Sequence, residues 1–171
     1  LLDEVANLVE SPNVFLGQFD KKYLKLPNEV LTTSMIKNQK YFPLFYKDNT
    51  LSNFFIIVSN LKPSDNGKKI IYGNQRVIEA RLEDASFFWI KDNNSNFKDK
   101  DEELKRIIFH NKLGSMLDKI LRLKKIATFF SENIKLDNKS QRNLEVSINI
   151  CKNDLVTELV REFPSLQGIM G

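Results

Sequence analysis

Residues 73–89 read GNQRVIEARLEDASFFW, and the organisation of the chain follows from this stretch. Ile78, Leu82, Ala85 and Trp89 recur at steps of four, three and four residues. That spacing places the four side chains along one stripe of an α-helix, with the acidic residues of the stretch on the other side. We therefore predict a helix over residues 69–91 that connects two parts of the molecule.

The part before this helix predicts a mixture of helices and strands. Residues 13–19 are a short, apolar, β-prone run, which is typical of a strand. Residues 41–46 and 54–59 are two similar runs with turn residues between them, so we predict a β-hairpin. Helices are expected over residues 1–10 and 28–38, with Pro27 at the first turn of the second one. With the connecting helix, these elements form a predicted mixed sub-domain over residues 1–92.

The part after the polar break at residues 93–96 predicts helix almost throughout. One long amphipathic helix is expected to bury Met116, Ile120, Leu123, Ala127 and Phe130. A last helix is expected to direct towards the core Leu144, Ile148, Cys151, Leu155 and Leu159. Residues 97–171 are therefore predicted to form a mainly α-helical sub-domain, and the predicted fold class is α+β.

Composition excludes some classes of protein and leaves others open. The 171 residues are 42% hydrophobic and 28% charged, which is ordinary for a globular protein. No apolar run approaches the roughly 20 residues needed to span a bilayer, and the single cysteine excludes an internal disulfide. We expect a cytoplasmic location, and the missing initiator Met indicates a segment of a longer protein. A net charge of +4 permits a polyanionic partner without requiring one.

Catalytic motifs are absent from the sequence. The phosphate-binding glycine patterns and the HExxH zinc pattern do not occur, and one histidine cannot form a two-histidine metal centre. His110 is expected to be an ordinary core or surface residue, and Cys151 a buried, inert thiol on an apolar stripe. We name no catalytic residue and no metal ligand.

Basic residues occur in two sets. Lys37, Gln39 and Lys40 precede two aromatic residues at a predicted helix end, a mixture that can hold phosphates and stack on unpaired bases. The alternative is a set of charges that complement the helix dipole, and the sequence favours it. The denser set consists of Lys119, Arg122, Lys124 and Lys125, with Lys105, Arg106 and Lys112 nearby. The alternative for this set is a solvated helix face.

Several long stretches resemble one known family. They are residues 38–43 (NQKYFP), 73–77 (GNQRV), 80–88 (ARLEDASFF), 109–114 (FHNKLG) and, most clearly, 151–171 (CKNDLVTELVREFPSLQGIMG). In content and order they are similar to the β subunit of the bacterial, two-subunit glycyl-tRNA synthetases.

The resemblance implies a function for the larger protein. Members of the family form an α₂β₂ enzyme that joins glycine to its tRNA with ATP and Mg²⁺, and the α subunit holds the adenylate-forming site. The β subunit mainly binds tRNA and supports α, so the present chain would be a middle portion of β with no cofactor of its own. Its partners would be tRNA-Gly, the α subunit and the remainder of β, and no association with a membrane is expected. Candidate tRNA-binding residues are then Lys37, Gln39, Lys40, Arg76, Lys119, Arg122 and Lys125.

Two alternatives to tRNA binding stay open at this point. The first is a purely structural segment that packs on the rest of β or on α. The second is a degenerate metal phosphohydrolase, because the later helices look like the start of an HD-type domain, named for metal-binding His and Asp residues. His110 cannot complete such a metal set alone, and we expect Asp154 to be a surface carboxylate paired with Lys152 or Lys135.

Overall fold

The computed structural model describes residues 1–171, which divide into two compact units, residues 1–89 and 90–171. The helices are α1 (Leu2–Leu8), α2 (Asn28–Thr33), α3 (Lys68–Asn93), α4 (Asp101–Arg106), α5 (Met116–Asn133), α6 (Asn138–Ile150) and α7 (Glu158–Glu162). The strands are β1 (Asn13–Gln18), β2 (Phe42–Phe45), β3 (Leu51–Ser59), β4 (Ile108–His110) and β5 (Gly114–Ser115). The predicted α+β fold class is confirmed.

The first unit contains a three-stranded antiparallel sheet in the order β1-β3-β2. The predicted hairpin is β2–β3, in which Phe42 pairs with Ile56 and Phe45 pairs with Leu51. Its turn is stabilised by Asp48, whose carboxylate accepts hydrogen bonds from the Thr50 amide at 3.0 Å and the Thr50 hydroxyl at 2.7 Å. The turn residues that the sequence indicated therefore stabilise the connection between the two strands, and the pairing register shifts between Pro43 and Phe45.

Helix α3 contributes three residues to the core of the first unit. Ile78, Leu82 and Ala85 are fully buried, as the spacing predicts, whereas Trp89 is only half-buried. From the sheet, Phe55 is fully buried and stacks on Tyr41, with 4.8 Å between ring centroids. Burial raises the pKa of the Tyr41 phenol to about 12, and its hydroxyl donates to Asn74 at 2.5 Å. The predicted helix over residues 28–38 differs in detail, because α2 ends at Thr33 and a π-helical turn follows over Ser34–Asn38.

The second unit packs α4, α5 and a 3₁₀ turn over Asn153–Val156 around Leu104, Ile120 and Val156. Residues at the end of α3 join this unit. Asp92 accepts hydrogen bonds from the backbone amides of Glu158 and Leu159, each at 2.9 Å. These contacts supply partners for amides in the first turn of α7, which its own backbone cannot satisfy.

Four sequence predictions for the second unit are wrong. Residues 108–110 form a strand, although helix was predicted for almost all of this part of the chain, and the predicted last helix is divided into α6, a 3₁₀ turn and α7. Cys151 consequently lies exposed just after α6 instead of pointing into the core. Asp154 is buried rather than paired at the surface, and its carboxylate accepts a hydrogen bond from the Gly168 amide at 2.6 Å. The side-chain bonds of Asn153 and Asp154 to distant backbone groups stabilise this interruption.

None of the helices combines the length and the apolar character that crossing a bilayer requires. That the second unit begins an HD-type domain stays a prediction.

Candidate nucleic-acid interface

The short hairpin β4–β5 leads directly into α5, and a capping box joins the two elements. Ser115 is the N-cap of α5 and accepts from the Asp118 amide at 3.2 Å, while the Asp118 carboxylate accepts from the Ser115 amide at 2.7 Å. Hydrogen bonds from the Ser115 hydroxyl and amide lower the pKa of the Asp118 carboxyl. The reciprocal bonds satisfy backbone donors at the helix end and hold the hairpin against α5.

Phe109 of this hairpin lies beside two cations of α5. The Lys119 ammonium nitrogen is 4.1 Å from the Phe109 ring centroid, and the Arg122 guanidinium carbon is 6.0 Å from it. Phe109 keeps 38% of its surface exposed, so solvent reaches both the ring and the charges around it. We call Phe109, Lys119 and Arg122 the Phe109 cluster. Attraction between each cation and the ring quadrupole holds the three side chains together.

Arg122 also fixes the tip of the hairpin. Its guanidinium donates a hydrogen bond of 2.7 Å to the Leu113 carbonyl oxygen. The His110 ring nitrogen Nδ1 accepts from the Lys112 amide at 3.2 Å, which places Lys112 in the same turn. The remaining guanidinium N–H groups are still available to an anionic ligand, because this one bond uses a single donor.

Gly114 is the glycine that this turn requires, and its substitution gives a testable prediction. Its φ is +84°, and a Cβ there would lie 2.4 Å from the Asp118 carboxylate oxygen of the capping box. We expect Gly114→Ala to lower the free energy of unfolding by about 2–3 kcal/mol, through left-handed backbone strain and loss of the cap. Urea unfolding followed by circular dichroism measures this.

Gly73→Ala is the matched control for that substitution. Gly73 lies inside α3, and nothing is within 4 Å of the position that a Cβ would occupy. Alanine there should stabilise the helix by about 0.5–1 kcal/mol. A Gly114→Ala protein as stable as the parent would mean that the hairpin does not depend on this turn.

Lys125 and two apolar residues share the exposed side of α5. Lys125 is exposed one turn after Arg122, so the predicted set Lys119, Arg122 and Lys125 lies on neighbouring turns of one helix. Phe129 and Phe130 follow and are 63% and 57% exposed. The predicted burial of Phe130 is therefore wrong, and the face is basic at its start and apolar at its end.

The other predicted residues lie in the first unit. Lys40 has its ammonium nitrogen 2.6 Å from the Glu4 carboxylate, and this hydrogen bond, with a smaller contribution from the charge of Lys37, lowers the pKa of Glu4. Gln39 is half-buried, and Lys37 is exposed on the π-helical turn. Lys37 and Lys40 are thus close to one carboxylate, which offsets part of their positive charge.

Arg76 lies on the exposed surface of α3. Its guanidinium carbon is 5.9 Å from the Tyr72 ring centroid, one turn earlier on the same helix. Arg76 and Tyr72 therefore form a second pair of a cation with an aromatic ring, with one cation instead of the two in the Phe109 cluster.

Phe109 was not among the predicted tRNA-binding residues, although both cations of the Phe109 cluster, Lys119 and Arg122, were. The overlooked signal was the run Ile108-Phe109-His110 followed by a turn that ends in Gly114, which is typical of a hairpin. The structure brings together no group of three or more His, Cys, Asp or Glu side chains that could hold a metal ion.

Comparison with known proteins defines the class of the chain. The family model described as glycyl-tRNA synthetase beta subunit matches residues 1–171. A glycine–tRNA ligase beta subunit of Syntrophomonas wolfei is 45% identical over all of this chain, which covers 24% of that relative. The beta subunits of Halothermothrix orenii and Lacticaseibacillus casei are 43% and 45% identical over all of it, with 25% of each relative covered.

These matches place the chain among the subunits of aminoacyl-tRNA synthetases. The chain belongs to the glycyl-tRNA synthetase beta subunit family. It spans about a quarter of the length of the curated relatives that it matches.

Proposed function

We propose that this chain is part of the beta subunit of a cytoplasmic glycine–tRNA ligase, where it contributes contacts to tRNA-Gly and supports the assembly. In this proposal, ATP and Mg²⁺ act at the adenylate-forming site of the alpha subunit, and no residue of the present chain is catalytic. The family and the names of the relatives support the role in the ligase. The contact with tRNA is supported by the surface of the second unit.

The Phe109 cluster is the observation that carries the proposal. Two cations are held next to an exposed aromatic ring by contacts of 4.1 and 6.0 Å, and one of them is anchored to the Leu113 carbonyl. Lys and Arg contacts to phosphate supply most of the affinity of proteins for nucleic acids without reading sequence. An aromatic ring adds a surface on which an unpaired base can stack. The arrangement therefore suits a folded RNA that is positioned through its backbone.

A second candidate function is a purely structural one, and the apolar end of α5 favours it. Ile126, Phe129, Phe130 and Ile134 are each 53–64% exposed. Large apolar side chains grouped on a surface often mark a contact with another protein segment. In this case the basic residues of α5 would only surround an apolar protein contact and face solvent. The affinity for tRNA would not depend on them.

Charge reversal in the complete two-subunit enzyme distinguishes the two functions. We expect Lys119→Glu with Arg122→Glu to weaken tRNA-Gly binding at least about 100-fold at low salt, since each of the two charge-assisted contacts contributes about 1.5–3 kcal/mol. The slope of log K against log salt should fall by roughly 2, because about two fewer counterions are released. Filter binding over a range of salt concentrations measures both quantities.

The chain offers a matched control for this experiment. Lys139 and Arg142 have the same spacing and are exposed on α6 of the same unit. Lys139→Glu with Arg142→Glu changes the net charge equally and should leave the salt slope within experimental error. Equal losses in both double variants, or no loss in either, would contradict the proposal. Lys119→Gln with Arg122→Gln should give an intermediate loss, because it removes the two charges without adding acidic ones beside Asp118.

A further inference from the structure

The sheet of the first unit is mainly apolar on both faces. Phe55 and Ile57 of β3 are buried on the inner face, towards the core. Seven residues on the opposite, outer face are also apolar: Val14 and Leu16 of β1, Phe42 and Leu44 of β2, and Phe54, Ile56 and Val58 of β3. Polar residues occur on this face only towards one end, at Gln18, which pairs with Phe54, and at Ser52. We call these seven residues the outer sheet face.

The pairing register makes the outer sheet face one continuous surface. Val14 pairs with Val58, and Ile56 pairs with Leu16 on one side and Phe42 on the other. Directly paired residues of antiparallel strands project to the same side, so these side chains are neighbours. Val14 and Leu16 are nevertheless 64% and 54% exposed.

A solvated sheet face has a different composition. Antiparallel strands with one face in water alternate apolar and polar residues, whereas strands covered on both faces are apolar throughout. Residues 54–58 of β3 read FFIIV, with no polar residue on either face. The outer sheet face therefore has the composition of a buried surface.

Helix α1 covers only one end of this surface. Between α1 and the sheet lies a groove of about 630 Å³, lined entirely by apolar residues that include Val5, Val9, Pro12 and Ile56. A second depression, of about 260 Å³, continues past Leu16 and Leu44 to Phe45 and Tyr46. An occupant must present apolar side chains, because a charged or unpaired polar group would lose its hydration against such a lining.

We infer that another segment of the same beta-subunit polypeptide, outside these 171 residues, covers the outer sheet face with an apolar surface of its own. The inference rests on membership of the family and not on tRNA binding. Relatives are about four times as long as this chain, so most of such a subunit lies outside the matched region. A segment on the same polypeptide acts at an effective concentration of roughly millimolar, well above that of a separate subunit.

The chemistry of the surface also favours a cover from the same chain over one from another subunit. An apolar sheet face that stayed open until a second polypeptide arrived would be an aggregation hazard. A tethered segment removes that hazard as the subunit folds.

Cysteine labelling in the complete beta subunit tests the inference. In a background with the native cysteines replaced by serine, Leu16→Cys is compared with Tyr72→Cys, whose parent residues are 54% and 64% exposed in the first unit. Each rate of reaction with a maleimide is divided by the rate for the same variant in denaturant. We expect the Leu16→Cys rate in the beta subunit alone to be at least about 10-fold lower than its denatured rate, and independent of protein concentration and of added alpha subunit.

Three outcomes would overturn the inference. Protection that develops only after the alpha subunit is added would assign the cover to that subunit. Protection that rises with the concentration of the beta subunit would assign it to a second copy. Labelling of Leu16→Cys near its denatured rate in every state, in a variant with the parent melting temperature, would mean that the face is free.

A measurement on the unsubstituted beta subunit guards against a variant that fails to fold. Hydroxyl-radical footprinting compares Tyr46, which lines the second depression and is 54% exposed, with Tyr72, which is 64% exposed. We expect oxidation of Tyr46 to be several-fold slower than that of Tyr72 without the alpha subunit, and equal rates would count against the inference.

Discussion

Phe55→Ala is expected to lower the free energy of unfolding of the first unit by about 3–5 kcal/mol, the usual cost of removing a fully buried phenylalanine. Phe55 has no exposed surface, and its ring stacks on Tyr41 at 4.8 Å and lies 6.4 Å from Phe19. A Cβ at Gly17 would lie 2.5 Å from the same ring, so β1 passes directly against it. Truncation would leave a cavity bordered by two strands that cannot easily collapse.

Urea unfolding followed by the fluorescence of Trp89, the one tryptophan of the chain, measures this loss. Phe87→Ala is the matched control, since Phe87 is 62% exposed on α3 of the same unit, and it should cost less than about 1 kcal/mol. A loss below about 1 kcal/mol for Phe55→Ala would contradict a core of the first unit centred on Phe55.

The second large effect is expected at Asp154 in the other unit. Its side chain is 3% exposed, and the carboxylate accepts from the Gly168 amide at 2.6 Å. Asp154→Ala would remove this acceptor and leave a backbone donor without its partner. We expect a loss of about 2–3 kcal/mol in the free energy of unfolding of the second unit, measured by urea unfolding with circular dichroism.

Asp154→Asn separates the hydrogen bond from the loss of side-chain volume. The amide oxygen can still accept from Gly168, although without the full charge, so we expect about half the loss of the alanine variant. Equal stability of the alanine variant and the parent protein would show that the turn after α6 does not depend on this carboxylate.

Much of the first unit could be predicted because its signals are local. The stripe Ile78, Leu82, Ala85 follows the helical period over several turns, and the hairpin β2–β3 is marked by turn residues between two apolar runs. The second unit was harder to predict, because its irregularities depend on distant partners. Asp154 bonds to Gly168, fourteen residues away, and Asn153 bonds to the Phe97 carbonyl, and neither contact leaves a periodic pattern.

The basic residues of the candidate site could be predicted from the sequence. Their arrangement around Phe109 could not. The basic residues of α5 stand out in the sequence, but the strand Ile108–His110 is too short to give a clear alternating pattern. Phe109 was therefore not recognised as the ring that Lys119 and Arg122 flank. In the first set, the ion pair of Lys40 with Glu4 links residues 36 positions apart, beyond the reach of a helical-spacing argument.

Photocrosslinking in the complete two-subunit enzyme tests the central proposal most directly. Phe109→p-benzoylphenylalanine places a photoreactive ring within the Phe109 cluster, and the same substitution at the exposed Phe87 is the control. We predict that irradiation attaches tRNA-Gly to residue 109 and not to residue 87, with a yield that falls as salt rises. An enzyme that binds tRNA-Gly normally and yields no crosslink at residue 109 would contradict the proposal that tRNA lies on this surface.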